Sequence, residues 1–312
     1  MDKKILNVQL KPIKSLLIPI DLLSQTLFDV SKTKNQQDKI IEDKRLDIET
    51  PYYFEPLKGN LNQLDKLVFY AACSDFCAGN KVFTLRRLYQ LIGGNNTNNS
   101  LTDNTKKMLT DSVERLACTR FVANMTQINE RFHYSEDEKL LFKNYLLPCK
   151  SSILSVNGQI SDAAFEIIDT PPLWNVAESK QQIISCDLNL LRIPKFRNTE
   201  QNIKIKSYLL ERVLTIIGSH KKHKAHIIGK NKDGKPIFKR SSKLRKVILL
   251  DSLFTQCELT DATKRQRQEF RIAISKILNF FQAKGVISEW HFEKKDGKFH
   301  SISFDFNVNC II

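Results

Sequence analysis

The sequence predicts an α+β protein made of two similar helix-and-hairpin domains in tandem. Three observations predict it. The stretch from Thr263 to Phe306 reads as a long basic helix stopped by Gly285, then two alternating segments around Lys294-Lys295-Asp296-Gly297-Lys298. A matching order of elements is readable over residues 62–134. Charge is also segregated: residues 201–312 hold 23 Lys/Arg against 10 Asp/Glu, whereas residues 1–200 hold 26 against 24.

At 312 residues the chain is long for one core and comfortable for two. Its 41% hydrophobic and 27% charged residues are ordinary for a globular protein. No apolar run approaches the roughly 18 residues of a membrane span. Met1-Asp2-Lys3-Lys4 opens no signal-peptide core, so a cytoplasmic protein is expected. Cys73, Cys77, Cys118 and Cys257 fall in helical patterns and are expected as small buried residues, without disulfides.

In chain order, Val8 to Leu23, broken by Pro12 and Pro19, predicts a strand-like arm and a short helix; Lys32 to Glu49 is a charged connector. Asn62 to Ala78 is a helix with Leu64, Leu67, Val68, Ala71, Ala72 and Phe76 on one face. Lys81-Val82-Phe83 is extended, and Thr84 caps a helix through Ile92. Gly93-Gly94 and the Asn-rich run to Asn99 turn the chain, and Thr102 or Asp103 caps a third helix. Phe121 to Ile128 and Arg131 to Tyr134 are the expected hairpin. Further strands are expected over Leu146 to Val156 and Ala164 to Ile168, with Pro171-Pro172-Leu173-Trp174 as a rigid turn docking its tryptophan.

The second set starts with a helix from Ile203 to Ile217, its apolar stripe formed by Ile205, Tyr208, Leu209, Val213, Ile216 and Ile217 and its solvent side by Lys204 and Lys206. His220 to Lys246 carries 11 Lys/Arg and one acid, with a short hairpin around Lys232-Asp233-Gly234. Val247 to Cys257 is expected as a helix, and Thr260, Asp261 or Thr263 as the cap of the next. Helix, short strand, helix, turn, helix and hairpin is the order of a winged helix, a variant of helix-turn-helix. The fold class is therefore α+β with two winged-helix domains in tandem: an arm and linker over 1–60, a first winged helix with additional strands over 61–198, and a second, basic one over 199–312.

A basic domain beside a nearly neutral one points to a polyanion, and nucleic acid suits basic residues held in a folded pattern. On the helix that begins at Lys264, Phe270, Ala273, Ile274, Ile277, Leu278 and Phe281 share one face; Lys264, Arg267 and Arg271 lie on another, with Gln268 and Ser275 beside them. Arginine can bond bidentately to guanine and glutamine to adenine in the major groove. Lys294, Lys295 and Lys298 at the hairpin tip fit phosphates, and Lys239, Arg240, Lys243, Arg245 and Lys246 add backbone contacts. If about six phosphates are neutralised, log affinity falls with a slope of roughly −5 in log salt. A solvated basic helix face is the competing reading of these residues.

His220, His223 and His226 sit in a Lys-rich stretch that disfavours a bound cation, so no metal or other cofactor is expected. The phosphate-loop and dinucleotide glycine motifs are absent, and the Glu136-Asp137-Glu138 cluster reads as a solvated turn, so an enzyme is the least supported class. In the first domain, Lys106, Lys107, Arg115 and Arg120 are offset by Asp103, Asp111 and Glu114, making a weak reader of DNA.

The repeated element order over about residues 60–306 resembles the plasmid replication initiators built from two winged-helix domains. So does the Lys-Arg-Gln-Arg-Gln-Glu-Phe-Arg helix start at Lys264, followed by Leu278-Asn-Phe-Phe-Gln-Ala-Lys-Gly-Val-Ile287. The resemblance implies an origin-repeat-binding second domain with Lys264, Arg265, Arg267, Gln268 and Arg271 on its recognition helix. As partners it implies double-stranded DNA, a second copy of the chain, and host helicase or initiator proteins, with no membrane. A winged-helix transcription regulator and a protein-interaction module are the alternatives.

Overall fold

The computed structural model of the chain describes residues 11–19, 28, 52–56, 60–94, 101–124, 141–157, 159–179, 183–222, 226–230, 236–239 and 246–306. The protein is α+β and divides into two compact units, Met1–Lys204 and Ile205–Ile312.

Unit 1 is organised by α1 (Gln63–Cys77), buried continuously from Gln63 to Asp75. Asn62 closes a capping box on it: its side chain accepts from the Leu64 and Asp65 amides, and the Asp65 carboxylate accepts from the Asn62 amide. A helix covered all round needs partners on every side, and its polar residues find them. Tyr70 donates to the Pro19 carbonyl (3.2 Å) and Ser74 accepts from the Leu17 amide (2.8 Å), both in strand β1 (Ser15–Pro19). On the other flank Asp65 meets α3 (Asp103–Cys118) through Arg115 and Ser112. Unit 1 also contains β2 (Tyr52–Pro56), β3 (Val82–Thr84) and α2 (Leu85–Leu91), whose cap is Thr84. Thr102 caps α3.

The chain then forms β4 (Thr119–Asn124), β5 (Leu141–Tyr145), β6 (Cys149–Val156), β7 (Gln159–Ile167), α4 (Pro172–Ser179) and β8 (Ile183–Asp187), with a 3-10 turn at Leu188–Leu191. The sheets are ordered β2-β4-β5, β3-β7-β6 and β1-β8, all antiparallel. The hairpin that closes on the short strand β3 is β6–β7, not the segment expected at 121–134. Phe165 of β7 stacks on Phe83 of β3, with ring centroids 5.5 Å apart, and supplies the apolar complement. Strand β4 pairs instead with β2 and β5 in a separate sheet, so β4 and β5 are additional to the common order; Met125 to Ile128 and Arg131 to Tyr134 lie outside the described residues. The expected turn at Pro171-Pro172 is the start of α4, with Pro172 in the first helical position where its missing N–H costs nothing. Trp174 is buried as expected. Cys73 is buried, but Cys77, beyond the buried stretch of α1, is exposed.

Unit 2 contains most of α5 (Glu200–Lys222), then β9 (His226–Lys230), β10 (Pro236–Lys239), β11 (Val247–Leu249), α6 (Leu250–Gln256), α7 (Lys264–Ala283), β12 (Glu289–Lys295) and β13 (Lys298–Asp305). β9 and β10 pair antiparallel, as the sequence predicts; the Lys232-Asp233-Gly234 turn itself lies outside the described residues. β11, β13 and β12 form one sheet in that order. Val247 to Leu249 is a strand and not the start of a helix. Val247 and Ile248 are β-branched, and pairing with Ser301–Ser303 buries Ile248 against the sheet. The trace common to both units is helix, short strand, helix, helix and hairpin, with the short strand paired to the second hairpin strand. The insertions differ: β4–β5 follows the third helix in unit 1, and β9–β10 follows the first helix in unit 2.

Lys204 and Lys206 correct the sequence reading. Lys206 is fully buried and Lys204 nearly so, pairing with Glu200 at 2.8 Å. Ile203, Leu210 and Leu214 are buried as well as the stripe residues, so α5 is covered all round from Ile203 to Glu211 and has no solvent side there. Burial pushes the Lys206 ammonium from its ordinary 10.5 down to about 7. The unfolded chain keeps that proton to higher pH, so folding releases it between these values and the wild type gains stability as pH rises. The stability of Lys206→Met relative to wild type should therefore be greatest at or below pH 7. It should then shrink by about 1.4 kcal/mol per pH unit towards pH 10, as read from urea unfolding at several pH values. A difference that stays constant with pH contradicts the assignment.

Candidate nucleic-acid interface

Among the described residues, unit 2 presents an exposed basic surface on α7 and the β12–β13 hairpin. Thr263 starts α7 with a capping box, accepting from the Gln266 amide while the Gln266 side chain accepts from the Thr263 amide. Ala273, Ile274, Ile277, Leu278 and Phe281 form the buried stripe. Lys264, Arg265, Gln268, Glu269, Ile272 and Lys276 are exposed. Gly285, at φ +73, ends the helix and Val286 and Ile287 bury the chain beyond it.

The basic residues divide by what they touch. Arg267 turns back on its own loop: it donates to the carbonyls of Ala262 (3.1 Å) and Thr260 (2.9 Å) and lies over the Phe254 ring of α6 at 5.7 Å. It fastens the α6–α7 connection. Arg265 donates to Glu269 at 3.3 Å on the open surface, a pair worth little. Arg271 reaches the hairpin, its guanidinium 4.8 Å from the centre of the Phe299 ring. The Lys294 ammonium lies 5.0 Å from the same ring. Phe299 is 41% exposed and carries both cations, each contact worth about 0.5–1 kcal/mol at such a site. Helix and hairpin tip thereby become one surface.

The hairpin is stiffened along its length. Trp290, Phe292 and Phe299 make edge-on contacts at 5.4 and 5.5 Å, and the Trp290 indole donates to Asn279 of α7 at 2.9 Å. Asp296 (φ 52) and Gly297 (φ 74) form the two-residue turn with both residues left-handed, the hairpin type that Asp-Gly favours. Lys295 and Lys298 flank it and are exposed. A Cβ at Gly297 would meet no atom within 4 Å, so Gly297→Ala tests the backbone alone. It should lower stability by about 1 kcal/mol, measured by thermal unfolding; an unchanged midpoint contradicts the turn assignment.

Lys246, read from the sequence as a backbone contact, has a partner within the chain. It forms an ion pair with Asp305, holding that carboxyl below the usual carboxylate range, and lies 5.0 Å from the Phe306 ring. Lys239 ends β10; Arg240, Lys243 and Arg245 lie outside the described residues. In unit 1, Arg115 is bound to Asp65 and Lys106 to Asp103 (3.1 Å), so these α3 cations are engaged internally. Sequence reasoning missed Phe299. Its signal was an aromatic directly after the turn lysine, where a solvated hairpin tip would carry a polar residue. The basic partner of that ring, Arg271, was legible only as one face of a helix.

Among the described residues no helix is long and apolar enough to cross a membrane. No protein-family model matches the chain, and no curated protein matches it. Solved structures similar to it include a selenomethionine derivative of domains 2 and 3 of RctB, with TM-score 0.38 and 11% identity over 83% of this chain and 88% of that one. RctB domains 2–3 match likewise, with TM-score 0.37 and 11% identity over 86% and 90%. At so low a TM-score and identity the likeness decides neither the fold nor the function of this chain.

Proposed function

We propose that this chain is a sequence-specific double-stranded DNA-binding protein with two winged-helix domains. In this reading it initiates replication of a plasmid or mobile element by binding origin repeats through unit 2, and it is not an enzyme. α7 enters the major groove by its N-terminal half, and the β12–β13 wing lies along the phosphates. The observation that carries the reading is the Arg271–Phe299–Lys294 cluster, which joins helix and wing into one basic face. A merely solvated basic helix needs no such junction. The recurrence of the helix–strand–helix–helix–hairpin trace in both units supports two winged helices, and their pairing supports an initiator over a single-headed regulator.

The test has two arms. Duplex fragments from the DNA carrying the protein's own gene compete with random duplex for binding. One fragment with direct repeats should be preferred by roughly a thousandfold or more. That fragment, placed on a plasmid with no other origin, should support replication only when the protein is supplied. Equal binding to all fragments removes the sequence-specific reading, and preference without replication removes the initiator.

A further inference from the structure

We propose that Ile272 is a specificity-determining residue that packs on the C5-methyl group of a thymine, an inference that rests on the duplex-binding reading above. Ile272 is 51% exposed in the middle of α7. At helical pitch it lies opposite the buried stripe of Ala273, Ile274, Ile277, Leu278 and Phe281, at the outermost point of the helix. Gln268 stands one turn before it and Lys276 one turn after, both exposed. Arg271 lies at the edge of this face and Arg267 on the side of the buried stripe, and they are engaged by a ring and by loop carbonyls respectively. The outward face at the centre of the helix therefore carries an aliphatic side chain among charged and amide ones.

A single exposed isoleucine is ordinary on a protein surface. Its setting is not: its exposed neighbours on α7 are charged or amides, and β-branched isoleucine is a weaker helix former than the lysine or glutamate a solvated position would favour. The major groove offers one feature that an aliphatic side chain reads and water does not satisfy, the thymine methyl. Gln268, one turn away on the same outer face, can bond an adenine in the adjoining steps. The assignment thus predicts an A·T-containing core to each recognised repeat.

The test uses the full chain and a duplex selected by it from a random library. Each thymine of that duplex is replaced in turn by deoxyuridine, which differs by the methyl alone. Wild type should lose affinity about fourfold at one or two positions, the worth of one buried methyl group. Ile272→Ala should bind the thymine duplex weaker by a similar factor and no longer distinguish the two bases, while Ile272→Val keeps part of the discrimination. Ile272 is outside the core, so the variants fold. The inference is overturned if uracil is tolerated everywhere by wild type, or if Ile272→Ala still discriminates. Failure of the underlying reading looks different: wild type then selects no sequence from the library, and both fall.

Discussion

Asp65→Ala should destabilise unit 1 by about 3–5 kcal/mol, the cost of leaving a partly buried guanidinium without its carboxylate. Asp65 is completely buried. It accepts from Arg115 through two bonds of 3.0 and 2.7 Å, from the Ser112 hydroxyl at 2.7 Å and from the Asn62 amide at 3.0 Å. Four donors on α3 and the α1 cap converge on one carboxylate, so its loss strands all of them. Asp65→Leu combined with Arg115→Met should cost less than either single change, because no buried charge is left over. Urea unfolding of Asp65→Leu, Arg115→Met and the double reads the coupling directly. Single changes costing under about 1 kcal/mol contradict this account of how α1 and α3 are joined.

Arg271→Ala should weaken binding to the preferred duplex by about ten- to a hundredfold, the usual worth of one arginine at a DNA interface. The effect has two sources. On the proposed reading the guanidinium is lost from the duplex-facing surface, and Phe299 loses the cation that ties the β12–β13 hairpin to α7. Arg271→Lys separates them: charge is retained, but the planar stacking on the ring is not. Its affinity should fall between wild type and alanine. Arg267→Ala should act differently, because Arg267 holds the α6–α7 loop. It should lower stability by about 1 kcal/mol and weaken binding less than Arg271→Ala. The reverse order of the two arginines would reassign the reading face.

Much of unit 2 was legible in the sequence because its signals are local. The α7 stripe repeats at helical spacing, Thr263 is one of three caps the sequence offers, and Asp296-Gly297 allows the left-handed turn that joins two strands. The errors fall where distant partners decide. Val247–Leu249 is extended because β13 offers it a sheet edge. Lys206 is buried because α5 is covered on every side, which one apolar stripe does not announce. In unit 1, the segment from Phe121 reads as a strand following the third helix, and only the pairing of β7 with β3 identifies β6–β7 as the closing hairpin. At the candidate site, residue type gave the cations but not their company. Arg267 and Lys246 are basic residues with partners inside the chain, and Phe299, which joins α7 to the β12–β13 hairpin, carries no charge.

The claim that α7 and the wing act as one duplex-binding face is tested most directly by the salt dependence of binding. Wild type and Lys294→Ala/Lys295→Ala/Lys298→Ala are compared on the same preferred duplex across a salt series. The three lysines stand at the wing tip, with Lys294 held on Phe299 beside Arg271. Wild type should show a slope of roughly −5 in log affinity against log salt, and the triple variant a slope shallower by about 3, one phosphate for each lysine removed. An unchanged slope with unchanged affinity would mean that the wing stands clear of the DNA, and the single-face account would be wrong.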